Sequence, residues 1–497
     1  MLTAALAAQV GHADEPGSPL LLAANGADKP QSLDALFDLE PAKAAPGAPK
    51  MEKAEQAAGP ATDSRDALFG IEPKAETPPA SRAELFADAK PAAPVAEEKP
   101  AWHGFARAEL AYTYGAPEHW SKTLGRLQVG TQGRGDGFKW KATARLDYNP
   151  VYDLTDHYPK AVSDDQRVEL EIRETYMDFT AGAWDWRVGR QHVVWGEMVG
   201  LFFADVVSAK DLREFVLPDF QTLRVPQWTA RAEYFGDGFH AELIWIPFPS
   251  YDRIGKPGAD FYPYPPTPPG IPAVFASESK PGISPGNTNY GVRLSKLIQG
   301  WDLSGFYYRS TDSTATFYRN ILAGPVFSYH PRHDRIWQAG GTLAKDLGSL
   351  VLKGEAIYTD GRKYNVVNFT DPDGVVTQDT VDWVLGLDFN PDGDTRINTQ
   401  LFQRIYLKHD ADIVPEQHEN GASLLVNRKF GRGWEGELLF IASLDRTDWL
   451  LRPKAVWNFQ PNWTLGMGVD VFHGPATGLF GRFNNLDRLW AELRYDF

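Results

Sequence analysis

The feature that most constrains this sequence is a strict alternation of apolar and charged residues. In the segment FKWKATARLDY, every second residue from Phe138 to Tyr148 is apolar, and the residues between them, from Lys139 to Asp147, are mostly charged. Successive side chains point to opposite faces only when the backbone is an extended strand. The pattern recurs in RVELEIR, TVDWVLGLDF, NWTLGMGVDVF and LWAELRYDF. These segments are therefore predicted to be strands with one apolar and one charged face.

About eighteen such strands are predicted between Trp102 and Phe497. Short turns such as GRGDG, GDG and NPDGD alternate along the chain with other connections, several of them much longer. Short turns at one end, long loops at the other and an even strand number are typical of outer-membrane barrels. The predicted strands lie near 104–114, 121–132, 137–149, 167–180, 183–195, 226–236, 238–248, 287–297, 300–310, 334–346, 349–359, 379–390, 394–408, 420–430, 433–444, 447–459, 462–473 and 486–497.

We therefore predict an all-β fold in which residues 101–497 form a transmembrane antiparallel β-barrel. Soluble sandwiches and propellers also contain alternating strands, but a propeller would show a repeat of blade length. Here the apolar faces carry Trp, Tyr and Phe near the strand ends, as the aromatic belts of a membrane barrel do. The expected location is a bacterial outer membrane, in contact with lipid.

Composition narrows the function. The chain has 497 residues, a net charge of -15, no cysteine and a mean hydropathy of -0.38. The acidic balance argues against nucleic-acid binding, and the lack of cysteine excludes disulfides and thiolate sites. We see no catalytic constellation, no metal-ligand spacing and no cofactor motif, so a non-enzymatic protein without a cofactor or metal is expected.

The first hundred residues differ from the rest. Residues 1–13 resemble the end of a signal peptide without its basic segment, and residues 14–100 form an Ala- and Pro-rich extension predicted to be disordered. Three S-x-x-x-L-F phrases begin at Ser32, Ser64 and Ser81, each of which can cap a short helix. We predict that the apolar pairs dock a periplasmic or inner-membrane transporter component. Chance similarity is the alternative. The pairs are Leu36 and Phe37, Leu68 and Phe69, and Leu85 and Phe86.

The long connection after the fifth strand is the predicted pore constriction. Its segment MVGLFFADVV is too apolar for a loop in water, and SAKDLREFV can begin a short helix capped by Ser208, with Asp211 in its first turn. We predict that the loop folds into the lumen rather than against the rim or a neighbouring protomer. The residues expected to line the constriction are Glu197, Asp205, Lys210, Asp211, Arg213 and Glu214.

Alternation also predicts which charged residues face the lumen. Both signs occur in similar numbers, whereas a strongly selective pore shows a ladder of one sign. The set therefore predicts a wall stiffened by salt bridges, or a lining that contacts solutes. It comprises Arg107, Glu109, Lys141, Arg145, Glu169, Glu171, Arg173, Arg231 and Glu233.

Two stretches carry a resemblance to known proteins. LWAELRYDF, with Tyr495 and Phe497 at alternate positions, resembles the sorting signal of bacterial outer-membrane proteins, which implies recognition by the barrel-assembly machinery. Residues 186–228, with Gly-Arg-Gln, Trp-Gly-Glu, Asp-Leu-Arg and Arg-Val-Pro in order, resemble an uncharacterised family of large proteobacterial outer-membrane proteins. The resemblance implies that relatives are encoded near transporters of the resistance-nodulation-division type, and the architecture is similar to that of alginate-export porins.

These observations favour an outer-membrane channel that forms the outer part of an export or uptake route for a large or apolar solute. Because the strand number is even, both ends of the barrel are expected at the short-turn, periplasmic side, where the N-terminal extension would dock a partner. The alternatives are a stand-alone uptake porin for hydrophobic or glycan substrates and a structural or adhesive barrel with a plugged lumen.

Overall fold

The chain forms a closed antiparallel barrel of eighteen strands. The structure, a computed structural model, describes residues 101–196, 198, 204–324 and 326–497. The predicted signal remnant and the N-terminal extension with its three phrases lie outside the described residues. The strands are β1 (Ala101–Thr113), β2 (His119–Gly135), β3 (Phe138–Tyr148), β4 (Val168–Ala181), β5 (Trp184–Gln191), β6 (Gln227–Gly236), β7 (Phe239–Phe248), β8 (Asn289–Ile298), β9 (Trp301–Thr311), β10 (Arg335–Asp346), β11 (Leu350–Asn365), β12 (Val375–Asp392), β13 (Thr395–Leu407), β14 (His418–Gly431), β15 (Trp434–Ser443), β16 (Trp449–Gln460), β17 (Trp463–His473) and β18 (Arg488–Asp496).

Each strand pairs with its neighbours in sequence, and β1 pairs with β18 to close the barrel. The seam is extended by Gly104 and Phe497, whose backbone N–H groups donate to each other's carbonyls at 2.8 and 2.9 Å. Tyr495 lies against Trp463, with ring centroids 4.8 Å apart. Residue 101 and Phe497 therefore both lie at the end of the barrel that carries the short turns.

The short turns have residues that suit a tight hairpin. Gly137, Gly182 and Gly238 adopt φ values of 78°, 65° and 65° between consecutive strands. Glycine reaches this left-handed region without a steric penalty from a Cβ atom. Glycines in these turns thus allow tight hairpins, so the connections at this end of the barrel are short.

The outer face of the barrel is apolar and carries two aromatic belts. A middle zone presents exposed aliphatic side chains such as Leu110, Leu170 and Leu401. Aromatic side chains at both margins of an apolar band are typical of barrels that cross a bilayer. The exposed aromatic residues at the short-turn end include Trp102, Phe179, Phe235, Phe239, Trp301, Phe430, Trp434, Phe459 and Phe497, and those at the long-loop end include Tyr114, Trp120, Tyr148, Trp228, Trp245, Phe248 and Tyr290.

The connections at the other end contain further ordered elements. Short helices span Val151–Leu154, Lys160–Gln166 and Phe220–Leu223, and 3-10 segments span Pro285–Asn287 and Gly481–Leu486. Strands Thr316–Leu322 and Val326–Arg332 pair with each other, and Ala273–Phe275 joins them as a parallel third strand. Aromatic residues pack beneath this small sheet, so that a structured cap stands over the long-loop end.

Among the residues that the structure describes, no helix has the length and apolar character needed to cross a membrane.

Candidate constriction site in the lumen

The connection of residues 192–226 is called the inner loop here, and its described residues, 192–196, 198 and 204–226, leave β5 and fold into the barrel. Trp195 is fully buried against Phe306 and Tyr308 of β9, with ring centroids 5.4 and 5.8 Å away. The indole lies close to the backbone of β8, because a Cβ atom on Gly291 would lie only 2.7 Å from it. Burial of an aromatic ring of this size provides a large apolar contribution to holding the loop inside.

The inner loop is next attached to β11, two strands further along the same wall. The carboxylate of Glu355 on β11 accepts backbone N–H groups from Met198 and Ala204, each at 2.9 Å. Met198 packs on Gly386 of β12, where a Cβ atom would lie 2.5 Å from its Cε. Since both backbone groups are satisfied by one buried carboxylate, the wall holds the loop in one position.

A buried ion pair then closes the loop on itself. Asp205 accepts a hydrogen bond from the Arg224 guanidinium at 2.6 Å, and both side chains are almost completely buried. Ala209–Lys210 and Arg224–Val225 form a short antiparallel pair next to it. The segment SAKDLREFV is therefore a strand followed by turns, and the predicted helix from Ser208 is wrong. The Ser208 hydroxyl donates instead to the Val193 carbonyl at 3.1 Å, because tertiary contacts outweigh a weak local helix signal.

One face of the inner loop, its charged face, meets β1, β2, β4 and β18. Arg213 donates to Glu169 at 2.7 Å, and Glu214 accepts from Arg488 at 3.0 Å and pairs with Lys122. Further along, Arg107 of β1 donates to Asp219 at 3.0 Å. Each of these charged residues of the inner loop is thus paired with a residue of opposite charge on the barrel wall.

The cationic partners change the acidity of the loop carboxylates. Burial alone would raise the pKa of Asp211, but Arg213, which donates two hydrogen bonds to it, and Arg253 hold that pKa well below its usual range. Burial opposes the same effect at Asp219, where Arg107 and the backbone N–H of Thr222 lower the pKa of the carboxyl. Both carboxylates are therefore ionised throughout the neutral and mildly acidic range.

The opposite face of the inner loop, its apolar face, contacts β14 to β17. Phe215, Val216 and Leu217 form a buried cluster with inward side chains of this wall. Phe215 adopts φ 55°, a left-handed conformation that is costly for a bulky residue, so the contacts of its ring must stabilise it there. Arg452 donates to the Leu217 carbonyl at 2.7 Å. The wall residues of the cluster are Leu425, Leu439, Ile441, Leu450 and Phe472, and Phe261, Leu479, Phe480 and Phe483 cover it from the long loops.

The wall residues that alternation predicts to face the lumen form ion pairs in several separate groups. Arg145 and Arg173 contact Glu171 at 3.0 and 3.2 Å, and Arg253 from the loop after β7 joins Glu171 at 2.8 Å. Other pairs join Arg107 to Glu109 at 2.5 Å, Lys141 to Glu174 at 2.5 Å, Arg231 to Glu233 at 2.8 Å, and Arg253 to Glu169.

The predicted constriction residues do not lie together. Asp211, Arg213 and Glu214 are on the charged face of the inner loop, whereas Asp205 is enclosed by Arg224. Lys210 is half-buried beside Asp252, to which its backbone N–H donates at 2.8 Å. Glu197 lies outside the described residues, as do the predicted docking residues Leu36, Phe37, Leu68, Phe69, Leu85 and Phe86.

Some residues of this site were missed by alternation. The register of β3 and β4 shifts between Ala142 and Ala144, so Glu174, which simple alternation would place on the outer face, accepts a hydrogen bond from Lys141 in the lumen, next to the predicted Arg173. A β-bulge of this kind moves the residues that follow it to the other face. Asp219, which accepts from Arg107 and fixes the far end of the inner loop, carries no local motif.

A family described as "Protein of unknown function (DUF1302)" matches residues 120–403. No curated protein matches the chain. Among solved structures, OccAB4 of Acinetobacter baumannii has a TM-score of 0.47 and 9% identity over 82% of this chain and 100% of its own. OccK2 of Pseudomonas aeruginosa, in complex with glucuronate, has a TM-score of 0.47 and 9% identity over 80% of this chain and 96% of its own. The Acinetobacter baumannii outer-membrane channel DcaP has a TM-score of 0.40 and 10% identity over 80% of this chain and 97% of its own.

Proposed function

The chain belongs to the DUF1302 family of proteins of unknown function, and we propose that it is an outer-membrane channel whose inner loop selects the solute. The observation that carries this proposal is the position of that loop, which is fixed inside a closed barrel by ion pairs on one face and apolar contacts on the other. A barrel with an apolar outer band and a charged inner wall is suited to conduct solutes across a bilayer.

The charged face is the proposed path of the solute. Glu214, Asp219, Glu492 and Arg494 keep 21 to 29% of their side chains exposed there, whereas the apolar cluster of the other face is closed. Both signs of charge are present along this path. A solute that carries both polar and apolar parts, and that replaces some of the internal ion pairs, fits such a lining better than a simple anion or cation.

The route beyond the membrane is also proposed. Residue 101 leaves the barrel at the short-turn end, which is the periplasmic end in barrels of this type. The N-terminal extension and its three Leu-Phe pairs would then reach a periplasmic or inner-membrane transporter component, and several weak contacts on one chain would add to strong binding. Transport could run outward or inward through the same path.

Conductance in planar bilayers tests the channel. The full chain is compared with a variant in which residues 204–224 are replaced by a short Gly-Ser turn, and with the double variant Glu214→Gln, Asp219→Asn. We expect small single-channel steps for the unaltered protein, larger steps without the loop, and altered ion selectivity for the double variant. The control is Asp164→Asn, which removes the exposed pair with Lys160 outside the lumen.

A plugged structural barrel is the second candidate, and the dense attachment of the inner loop to both walls favours it. This candidate predicts no conductance from the unaltered protein and conductance only after loop removal. Changing the three Leu-Phe pairs to serine tests the docking extension separately: capture of a periplasmic partner should be lost while the conductance of the barrel is retained.

A further inference from the structure

Three separate segments at the long-loop end bring two imidazoles and a carboxylate together. His119 begins β2, His157 lies in the loop after β3, and Asp260 lies in the loop after β7. One potential ligand atom of each lies within 4.8 Å of the other two. These residues are separated by up to 141 positions in sequence, which explains why no spacing motif reveals them.

The orientation of the His119 ring is fixed by its backbone neighbour. Its Nδ1 lies 2.7 Å from the carbonyl oxygen of Pro117, an acceptor, so Nδ1 carries a proton and donates it. In the neutral ring, Nε2 is then left with a lone pair. This arrangement, in which one nitrogen donates to a carbonyl and the other is free to coordinate, is the usual one for a metal-binding histidine.

That lone pair points at another acceptor. Nε2 of His119 lies 3.2 Å from Oδ2 of Asp260, and the same oxygen accepts a hydrogen bond from the Tyr158 hydroxyl at 2.9 Å. Two lone pairs at this distance repel each other unless a cation lies between them. The cation can be a proton on His119 or a metal ion, and the third residue of the cluster distinguishes the two.

His157 stacks on His119, with ring centroids 3.8 Å apart and an angle of 11° between the planes. A proton on His119 needs only Asp260 as its partner, whereas a metal ion uses both rings in their neutral form as well as the carboxylate. His157 is exposed, so its ring can turn out of the stack to bring its nitrogen nearer. Bonds of about 2.0–2.1 Å then place three ligands and one open position around the ion.

We propose that His119, His157 and Asp260 form a binding site for a divalent transition metal, for which zinc is the best-suited ion. Two imidazoles and a carboxylate are the donor set of zinc sites that keep a fourth position for water or an exchangeable ligand. The hard cations magnesium and calcium prefer oxygen donors and would be discriminated against. Because the ligands come from three segments, the metal joins these loops near the pore mouth.

Zinc binding to the full chain in detergent micelles tests this site. The protein is stripped with a chelator, dialysed and titrated with zinc chloride in a calorimeter, with magnesium chloride as the comparison. We expect one zinc ion per chain and no magnesium binding. Cobalt added in place of zinc should give the intense visible absorption of a four-coordinate ion, which an adsorbed ion does not give.

Substitutions assign the ligands. His157→Ala changes an exposed side chain and should abolish the zinc signal while leaving the heat-dependent gel mobility of the folded barrel unchanged. Tyr158→Phe removes the hydrogen bond to Asp260 and should weaken binding about 10-fold or more, as loss of such a partner does elsewhere. The matched control is His418→Ala, which removes another exposed histidine at the loop end and should bind zinc like the unaltered protein.

Two results would overturn the proposal. Zinc binding that survives His157→Ala with unchanged affinity would place the ion elsewhere. A folded protein that binds no zinc, but in which the His119 ring titrates as an imidazolium paired with Asp260, would show that the cluster holds a proton only.

Discussion

The two faces of the inner loop are held to the barrel by different physics. The charged face depends on pairs such as Arg107 with Asp219 and Arg488 with Glu214, whereas the apolar face depends on packing of Phe215, Val216 and Leu217. Ion pairs respond to pH, to salt and to loss of one partner. Apolar packing responds to shape and volume. The charged face can therefore be regulated by the medium, while the apolar face fixes the loop in place.

The largest effect is expected from a charge placed on the apolar face. Ile441 is fully buried in the wall cluster, and Ile441→Asp buries a carboxylate without a partner, which costs several kcal/mol. We expect the inner loop to detach and the single-channel conductance to rise. The control Ile441→Val should cost about 0.5–1.5 kcal/mol in the free energy of unfolding and leave conductance unchanged. An unchanged conductance in Ile441→Asp, with the barrel folded, would contradict this assignment.

Loss of Arg107 should have the next largest effect. Arg107→Met leaves Asp219, Glu109 and Glu492 without their common cation, and removal of one partner from a buried network costs about 3–5 kcal/mol. We expect a lower unfolding midpoint in denaturant, and a reversal potential shifted toward cation selectivity because the path gains net negative charge. Lys160→Met, at an exposed pair, should change stability by less than about 1 kcal/mol.

Acid should loosen the charged face only. The pKa values of Asp211 and Asp219 are lowered in the folded protein, so their contribution to stability is complete above the ordinary aspartate pKa of about 4 and is lost as the pH falls below it. Conductance should be constant from neutral pH to about pH 5 and change below about pH 4. Asp219→Asn should remove part of this change. A transition near pH 6 would point to other groups.

The smallest effect is expected where the loop approaches the wall most closely. Gly386→Ala places a methyl group against Met198, and overpacking of this kind costs typically 1–3 kcal/mol. Met198→Ala should relieve the clash, so the two substitutions together should destabilise less than their sum. A double-mutant cycle on thermal unfolding measures this coupling, and strict additivity would mean that the contact contributes nothing.

The barrel was predictable from sequence because alternation and turn residues repeat in every hairpin. The eighteen strands and their antiparallel order are confirmed, with the largest differences where β5 ends before its predicted end, and where β11 ends after and β12 begins before the predicted positions. There the register shifts between Thr359 and Arg362, and a bulge near Gly361 lets the pairing resume. Alternation of apolar and polar residues does not show how far a hairpin extends beyond the apolar band of the barrel.

The inner apolar wall was harder to predict. In β15, Leu438 is exposed on the outer face and Leu439 is buried in the lumen, so both faces are apolar and alternation disappears. The run ELLFIAS in fact signals burial on both sides of a strand. The partner of that inner face is the tip of the inner loop, some 220 residues earlier in the chain, and a single sequence does not show such a pairing.

The seam between β1 and β18 has a consequence for assembly. Its partners, such as Arg107 and Arg494, are nearly 400 residues apart in sequence, so this ladder has the largest loop-closure cost of the barrel and is expected to form last. Until then the sheet has two open edges, each a row of unpaired amides able to join another chain. Pairing of β1 with β18 closes the barrel and removes both edges. A chain that stops before this step keeps two open strand edges and is prone to aggregate with other chains.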